Sequence, residues 1–328
     1  MCHLLTSDDY ARLLKIANNE DVTNFLAERD YSIDLNRFPP KEVDAYLLEK
    51  IVYRKLSDRF ASILKIASGK IGSALQQYYR ILEVENLKKI IRAKHENIRV
   101  TESQLIPVAR KYQTVNFPAL LETRDMSEMI QLLSETPYSV LKDRLDTYNR
   151  YSNPLILEAA VDSAYYENLW KKIEGLPHSD DVEQLIGTEL DLKNLLLVFA
   201  SKEMNMNREL FNELVMKRHY RLQKSIIDRM SEAQYRTIPE LLMGQYYADL
   251  AKEAADLFQK ERFTEIENSF SRYVYSNAER IMVRKPNSLV YVFGYLSLCF
   301  KEARNLTTLS IAKQMGMDEE KTRNLLFF

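Results

Sequence analysis

The chain has 328 residues, 46% of them apolar and 28% charged, which excludes an intrinsically disordered chain and leaves length for two or three domains with a substantial core. Its 46 basic and 47 acidic residues leave a net charge of −1, excluding a whole-surface attraction to nucleic acid or anionic lipid. With 7 Gly and 9 Pro, under half the usual combined share of about 12%, tight hairpins are scarce and long helices with short connections are expected.

The N-terminus has no basic region leading into an apolar core, so no secretory signal is visible. Asp8-Asp9 reads as a helix start, where carboxylates favour the dipole. After the Phe38-Pro39-Pro40 break, Ala45 to Ala67 reads as one amphipathic helix with Leu48, Val52, Leu56, Phe60, Leu64 and Ile66 near one face. Ser68-Gly69-Lys70-Ile71-Gly72-Ser73 lacks the spacing of a phosphate loop and reads as a helix-ending turn. Asn153-Pro154 opens a second long helix, Leu155 to Ile173, and Asp180-Asp181 marks the start of another. Ile266 to Ile281 is a further amphipathic helix, closed by Pro286-Asn287-Ser288. The apolar stretch Leu289 to Phe300 covers twelve residues, too short to span a bilayer that needs roughly 20.

A recurring pattern stands out against this helical background. Asn-Leu occurs at Asn86, Asn168, Asn194, Asn305 and Asn324. Three of the five carry an acid three residues earlier and a lysine eight residues later: Glu83/Asn86/Lys94, Asp191/Asn194/Lys202 and Glu302/Asn305/Lys313. Their asparagines are spaced by 108 (194 − 86) and 111 (305 − 194) residues. An aliphatic residue follows four after each (Ile90, Val198, Leu309) and a small one seven after (Ala93, Ser201, Ala312). At about 100° per residue the acid, Asn, its Leu, the aliphatic and the Lys share one helix face. A weaker landmark precedes each copy, at Phe25-Leu26 with Tyr31-Ser32, Leu132-Leu133 with Tyr138-Ser139, and Leu257-Phe258 with Phe263-Thr264. The gap from aromatic to asparagine is 55 (86 − 31), 56 (194 − 138) and 42 (305 − 263). The expected fold is all-α, with three repeats at 1–104, 105–222 and 223–328, and the nine signature residues are candidates for structural or interface roles.

The stretches EVENLKKIIRAK, LDLKNLLLVFASK and KEARNLTTLSIAKQMGM resemble the recurring signature of one family. It is the C subunit of archaeal and bacterial A/V-type ATPases, equivalent to the d subunit of the eukaryotic vacuolar enzyme. Leu4 to Tyr31 resembles the opening helices of that family and the final segment from Tyr291 its closing one. The resemblance implies three pseudo-threefold helical domains forming a funnel. It also implies a non-catalytic socket between a central-axle subunit (D-type) and a membrane proteolipid ring, at the cytoplasmic face and without insertion into the membrane.

Signs of catalysis are wanting. His3, His95, His178 and His219 are scattered without metal-ligand spacing, and Cys2 and Cys299 lie at opposite ends with no reactive context. No cofactor is expected. The tyrosine pairs Tyr78-Tyr79, Tyr165-Tyr166 and Tyr246-Tyr247 read as core-edge aromatics with hydroxyls in water. An alternative reading takes Leu309 to Leu325 as a DNA-binding helix-turn-helix around Gly316, but Asp318, Glu319 and Glu320 would repel the phosphate backbone. Another, a generic helical-repeat scaffold, conflicts with a period near 110, since common arrays repeat at about 34 to 47 residues.

Overall fold

The computed structural model describes residues 4–327, and among these every regular element is a helix, so the protein is all-α. Cys2 and His3 lie outside the described residues. The first two helices begin where the sequence supplies caps. Thr6 and Asp9 form a capping box ahead of Ser7–Lys15, and Asn18 accepts from the Asp21 amide to open Asn19–Ala27. Asp180 and Asp181 sit in the first turn of Asp180–Glu203, where carboxylates complement the dipole.

The expected helix at 155–173 is observed as Leu155–Ile173, with Pro154 immediately before its first turn. The one expected at 266–281 extends to Phe263–Arg284. The one expected to reach Ala67 stops earlier, as Ala45–Leu64, and Ile66 is consequently 85% exposed rather than part of the apolar face. Ser68 to Ser73 opens Gly69–Tyr79 instead of ending the preceding helix.

The chain divides into two compact units. One takes in both ends, through Ser62 and again from Arg262 onward; the other is Ile63–Glu261. In the first, Phe263–Arg284 and Leu289–Gln314 pack along each other, and Asn19–Ala27 also contacts the longer helix. The stretch Leu289 to Phe300 lies in that helix and buries Val290, Phe293, Leu296 and Cys299. In the second unit Leu155–Ile173 packs against Gly69–Tyr79 and Ile81–His95, while Asp180–Glu203 packs against Lys224–Glu232. Among the described residues no helix is long and apolar enough to cross a membrane.

Candidate functional site

The three signature runs lie in Ile81–His95, Asp180–Glu203 and Leu289–Gln314. Their acids and asparagines are buried (Glu83, Asn86, Asp191, Asn194, Glu302, Asn305), and so are Leu87, Leu195 and Leu306 beside them. The lysines are half-buried. Most of the hydrogen bonds that the polar members of these sets make are to backbone atoms of other segments.

Each asparagine grips the backbone of one residue in both directions. Asn86 donates to the Ile106 carbonyl at 2.9 Å and accepts from the Ile106 amide at 2.7 Å. Asn194 does the same with Met216, at 3.4 and 2.9 Å. Asn305 does so with Phe327, at 3.0 and 2.8 Å. The partners lie 20, 22 and 22 residues further along the chain. A primary amide carries both a donor and an acceptor, which is what an irregular buried backbone needs and what neither Asp nor Leu supplies.

The acids collect donors. Glu83 Oε1 accepts from the Thr114 amide at 3.0 Å and the Thr114 hydroxyl at 2.8 Å. Asp191 accepts from the amides of Tyr220, Arg221 and Leu222 at 2.8–3.1 Å and from the Tyr247 hydroxyl at 3.0 Å. Glu302 accepts from the Leu5 amide at 2.6 Å, the Tyr31 hydroxyl at 2.7 Å and Arg59 at 2.8 Å. Bonds to an ionised acceptor are stronger than neutral ones and offset part of the cost of burying the charge. Burial still pushes the Glu83 and Asp191 carboxyls above their ordinary values, with the Thr114 groups at Glu83 and the three amides at Asp191 pulling the other way.

Each lysine caps the far end of a short helix. Lys94 donates to the Thr123 carbonyl at 2.6 Å, just beyond Phe117–Glu122. Lys202 donates to the Ser231 carbonyl in the last turn of Lys224–Glu232. Lys313 donates to the Leu14 carbonyl at 2.6 Å, in the last turn of Ser7–Lys15. The last carbonyls of a helix have no internal partner and carry the negative end of its dipole, so an ammonium there is favoured. Burial holds all three lysines below the ordinary lysine value.

The ends of the three helices also agree. Asn97, Asn205 and Gly316 take left-handed backbone angles (φ 54°, 49° and 67°), and the next residue donates back to the carbonyls of Ala93, Ser201 and Ala312. This is the Schellman stop, which favours Gly or Asn at that position.

The tyrosines differ from expectation. Tyr79, Tyr165 and Tyr166 are buried, and their hydroxyls bond to the Ala109 amide, the Tyr78 carbonyl and Glu189 instead of water. The third landmark is displaced as well. Phe263 merely begins a helix, whereas the buried Tyr247 takes the place held by Tyr31 and Tyr138. Leu241-Leu242 precedes Tyr247 as Phe25-Leu26 and Leu132-Leu133 precede the other two, and its gap to the asparagine is 58 (305 − 247), close to 55 and 56. Tyr31 and Tyr247 donate to the signature acids, and the buried Tyr138 hydroxyl feels the charge of Glu83.

The remaining candidates resolve into packing and caps. His95 shares a hydrogen bond with Tyr148, His178 adopts a left-handed turn, and burial holds His219 below the usual histidine value. Cys299 is buried and its thiol is pushed up to about 11, chiefly by that burial. In the segment 309–325 the first helix is only the end of Leu289–Gln314, and the second, Glu319–Asn324, has six residues. Asp318 caps it and Glu319 and Glu320 occupy its first turn, so its leading end presents carboxylates. The arrangement holds chain segments in place, through side chains bonded to backbone.

The sequence profile of the ATP synthase (C/AC39) subunit family matches residues 2–325. The chain is 24% identical to the A-type ATP synthase C subunit of Methanocaldococcus jannaschii, over 96% of this chain and 80% of that protein. It is 24% identical to the corresponding A-type synthase protein of Methanosarcina mazei, over 98% of this chain and 88% of that protein. For its counterpart in Methanosarcina acetivorans the identity is 25%, again over 98% and 88%. A match of this extent, over a chain whose helices repeat one docking chemistry, settles the family: this chain belongs to the ATP synthase (C/AC39) subunit family.

Proposed function

We propose that this chain is the non-catalytic socket subunit of a rotary A/V-type ATPase. It links the central-axle subunit (D-type) to the membrane proteolipid ring at the cytoplasmic face and transmits torque for proton or sodium transport. In this reading three helical repeats, at 1–104, 105–222 and 223–328, are related by pseudo-threefold symmetry and form a funnel around the axle tip.

The single observation that carries the reading is the acid, asparagine and lysine set, made three times with equivalent backbone partners. A part that transmits torque must resist shear, and buried polar contacts bonded to specific backbone groups fix one arrangement of segments where an oily interface would let them slide. The nine signature residues are therefore proposed as stiffening elements. The surfaces facing axle and ring are expected to use apolar anchors with a polar rim. Family membership and the A-type synthase relatives support the assembly.

The test is purification of the tagged chain from its native cytoplasm and from detergent-solubilised membranes, with co-purifying proteins identified by mass. Recovery of an axle subunit, a proteolipid and nucleotide-hydrolysing subunits is expected. Their absence, with DNA or an unrelated complex in their place, would return the reading to a regulator or a general scaffold.

A further inference from the structure

The three docking sets differ in how the partner segment is connected. For Ile81–His95 and Asp180–Glu203 the segment follows directly, and the lysine reaches a carbonyl 29 residues downstream in both. For Leu289–Gln314 the asparagine still reaches forward, to Phe327, but the lysine reaches Leu14, 299 residues away. The acid likewise reaches Leu5 and Tyr31, 297 and 271 residues away. The helix Ser7–Lys15 thus takes from Lys313 the cap that Phe117–Glu122 takes from Lys94 and Lys224–Glu232 from Lys202. Tyr31 meets Glu302 as Tyr247 meets Asp191. The repeats of structure are therefore out of phase with the repeats of sequence.

A segment tethered through some 300 residues is a poorer intramolecular partner than one tethered through thirty, because closing the longer loop costs more entropy. The third set contains an added contact suited to that deficit. Arg59, from Ala45–Leu64, pairs through Nη1 with Glu302 at 2.8 Å with both side chains 3% exposed, and its Nη2 reaches Asp30 at 2.9 Å. Lys55 adds a second bridge to Asp30 at 3.2 Å. Among the described residues no Lys or Arg forms an ion pair with Glu83 or Asp191. At the offset that separates Arg59 from Tyr31, the other two copies carry Tyr166 and Tyr275 instead. Arg59 also joins the two parts of the N-terminal segment, since Asp30 stands next to Tyr31 and both lie in the stretch docked on Glu302.

We propose that Leu5–Tyr31 is the docking segment of the last signature helix, so that this module is assembled from both ends of the chain, and that the buried Arg59–Glu302 pair is the clasp that holds it shut. The clasp makes the third module the one whose closure depends on a single buried ion pair, while the other two close through local chain connectivity.

Hydrogen exchange followed by mass spectrometry on the full chain tests this with Arg59→Met, which keeps the length and apolar stem of the side chain. Exchange should accelerate together in residues 5–31 and 300–314 by roughly two orders of magnitude, the size that breaking a buried pair implies. Residues 81–95 and 180–203 should keep their protection. An increase confined to Ala45–Leu64, or spread equally over all three signature helices, would overturn the proposal. Should Arg59→Met fail to fold, Tyr31→Phe removes one hydroxyl from the same cluster and is read in the same way. Its counterpart Tyr247→Phe should loosen 180–203 and 214–232 while leaving both chain ends protected. If Tyr31→Phe left the C-terminal helix unaffected, the N-terminal segment would not be its docking partner.

Discussion

The Tyr247 hydroxyl lies 3.0 Å from Asp191 Oδ2, on a carboxylate that already accepts three backbone amides. A single acid thus gathers four donors from a turn and a second, distant segment. Removing the hydroxyl in Tyr247→Phe leaves the amides in place and deletes the charge-assisted bond to Asp191 together with the hydroxyl's contact with Thr188, the first alone a loss of about 1.5–3 kcal/mol. Urea denaturation monitored by circular dichroism should show a lower midpoint with an unchanged slope. An unchanged midpoint would mean that the contact contributes nothing to stability.

The asparagines allow a sharper comparison. Asn194→Ala leaves the buried amide and carbonyl of Met216 unpartnered, at a cost of about 2–4 kcal/mol for two orphaned groups. Asn194→Asp keeps the size and the acceptor but turns the donor toward Met216 into a second acceptor facing a carbonyl. It should therefore be at least as destabilising as alanine, although it is closer in shape. If aspartate proved the milder change, the two-way grip on the backbone would not be what this residue supplies.

The helices and the signature face could be read directly in the sequence, because helical periodicity and a polar set on an apolar stripe are local properties. Glu83, Asn86 and Lys94 were bound to share a face once they shared a helix. Their partners left no such trace. Ile106, Met216 and Phe327 are gripped through backbone atoms, which every residue possesses, so no letter in the sequence marks them. Tyr247 was missed for a different reason. The first two landmarks end in Tyr-Ser, the third in Tyr-Ala, and Phe263-Thr264 imitates the pattern without a phenolic hydroxyl. A rule asking for a hydroxyl able to reach the acid, instead of an aromatic followed by any hydroxyl residue, selects Tyr247. Leu14 as the partner of Lys313 was out of reach of any local rule, since the two are 299 residues apart.

Gly187 stands where the second signature helix meets the turn it holds. A Cβ built there would lie 2.3 Å from Tyr220 Cγ and 2.7 Å from its Cβ. The obstacle is the root of the ring, so it cannot swing away without moving the backbone whose amide bonds Asp191. Gly187→Ala should cost about 1–3 kcal/mol despite alanine's better helix propensity. The thermal midpoint should fall in Gly187→Ala and partly recover in Gly187→Ala/Tyr220→Ala, where the ring is gone. No recovery would place the strain elsewhere.

Two aspartates give opposite pH signatures. Burial raises the Asp191 carboxyl above 3.8, against the pull of the Arg221, Tyr220 and Leu222 amides. Its protonation therefore stabilises the fold, a contribution fully present below the unfolded value of 3.8 and lost as pH rises through the raised folded value. Asp30 is the reverse. Burial opposes its charge, but hydrogen bonds from Arg59 and Lys55 bring the carboxyl below 3.8, so its contribution is present above 3.8 and lost as pH falls through the lowered value. Comparing wild type with Asp191→Asn and with Asp30→Asn by chemical denaturation from acid to neutral pH separates the two. The stability gap to Asp191→Asn should shrink as pH rises above 3.8, and the gap to Asp30→Asn should shrink as pH falls below it. Parallel curves for the two variants would show that the Asp191 carboxyl, with its four donors, is as comfortably ionised as an ion-paired one, and that burial does not govern its titration.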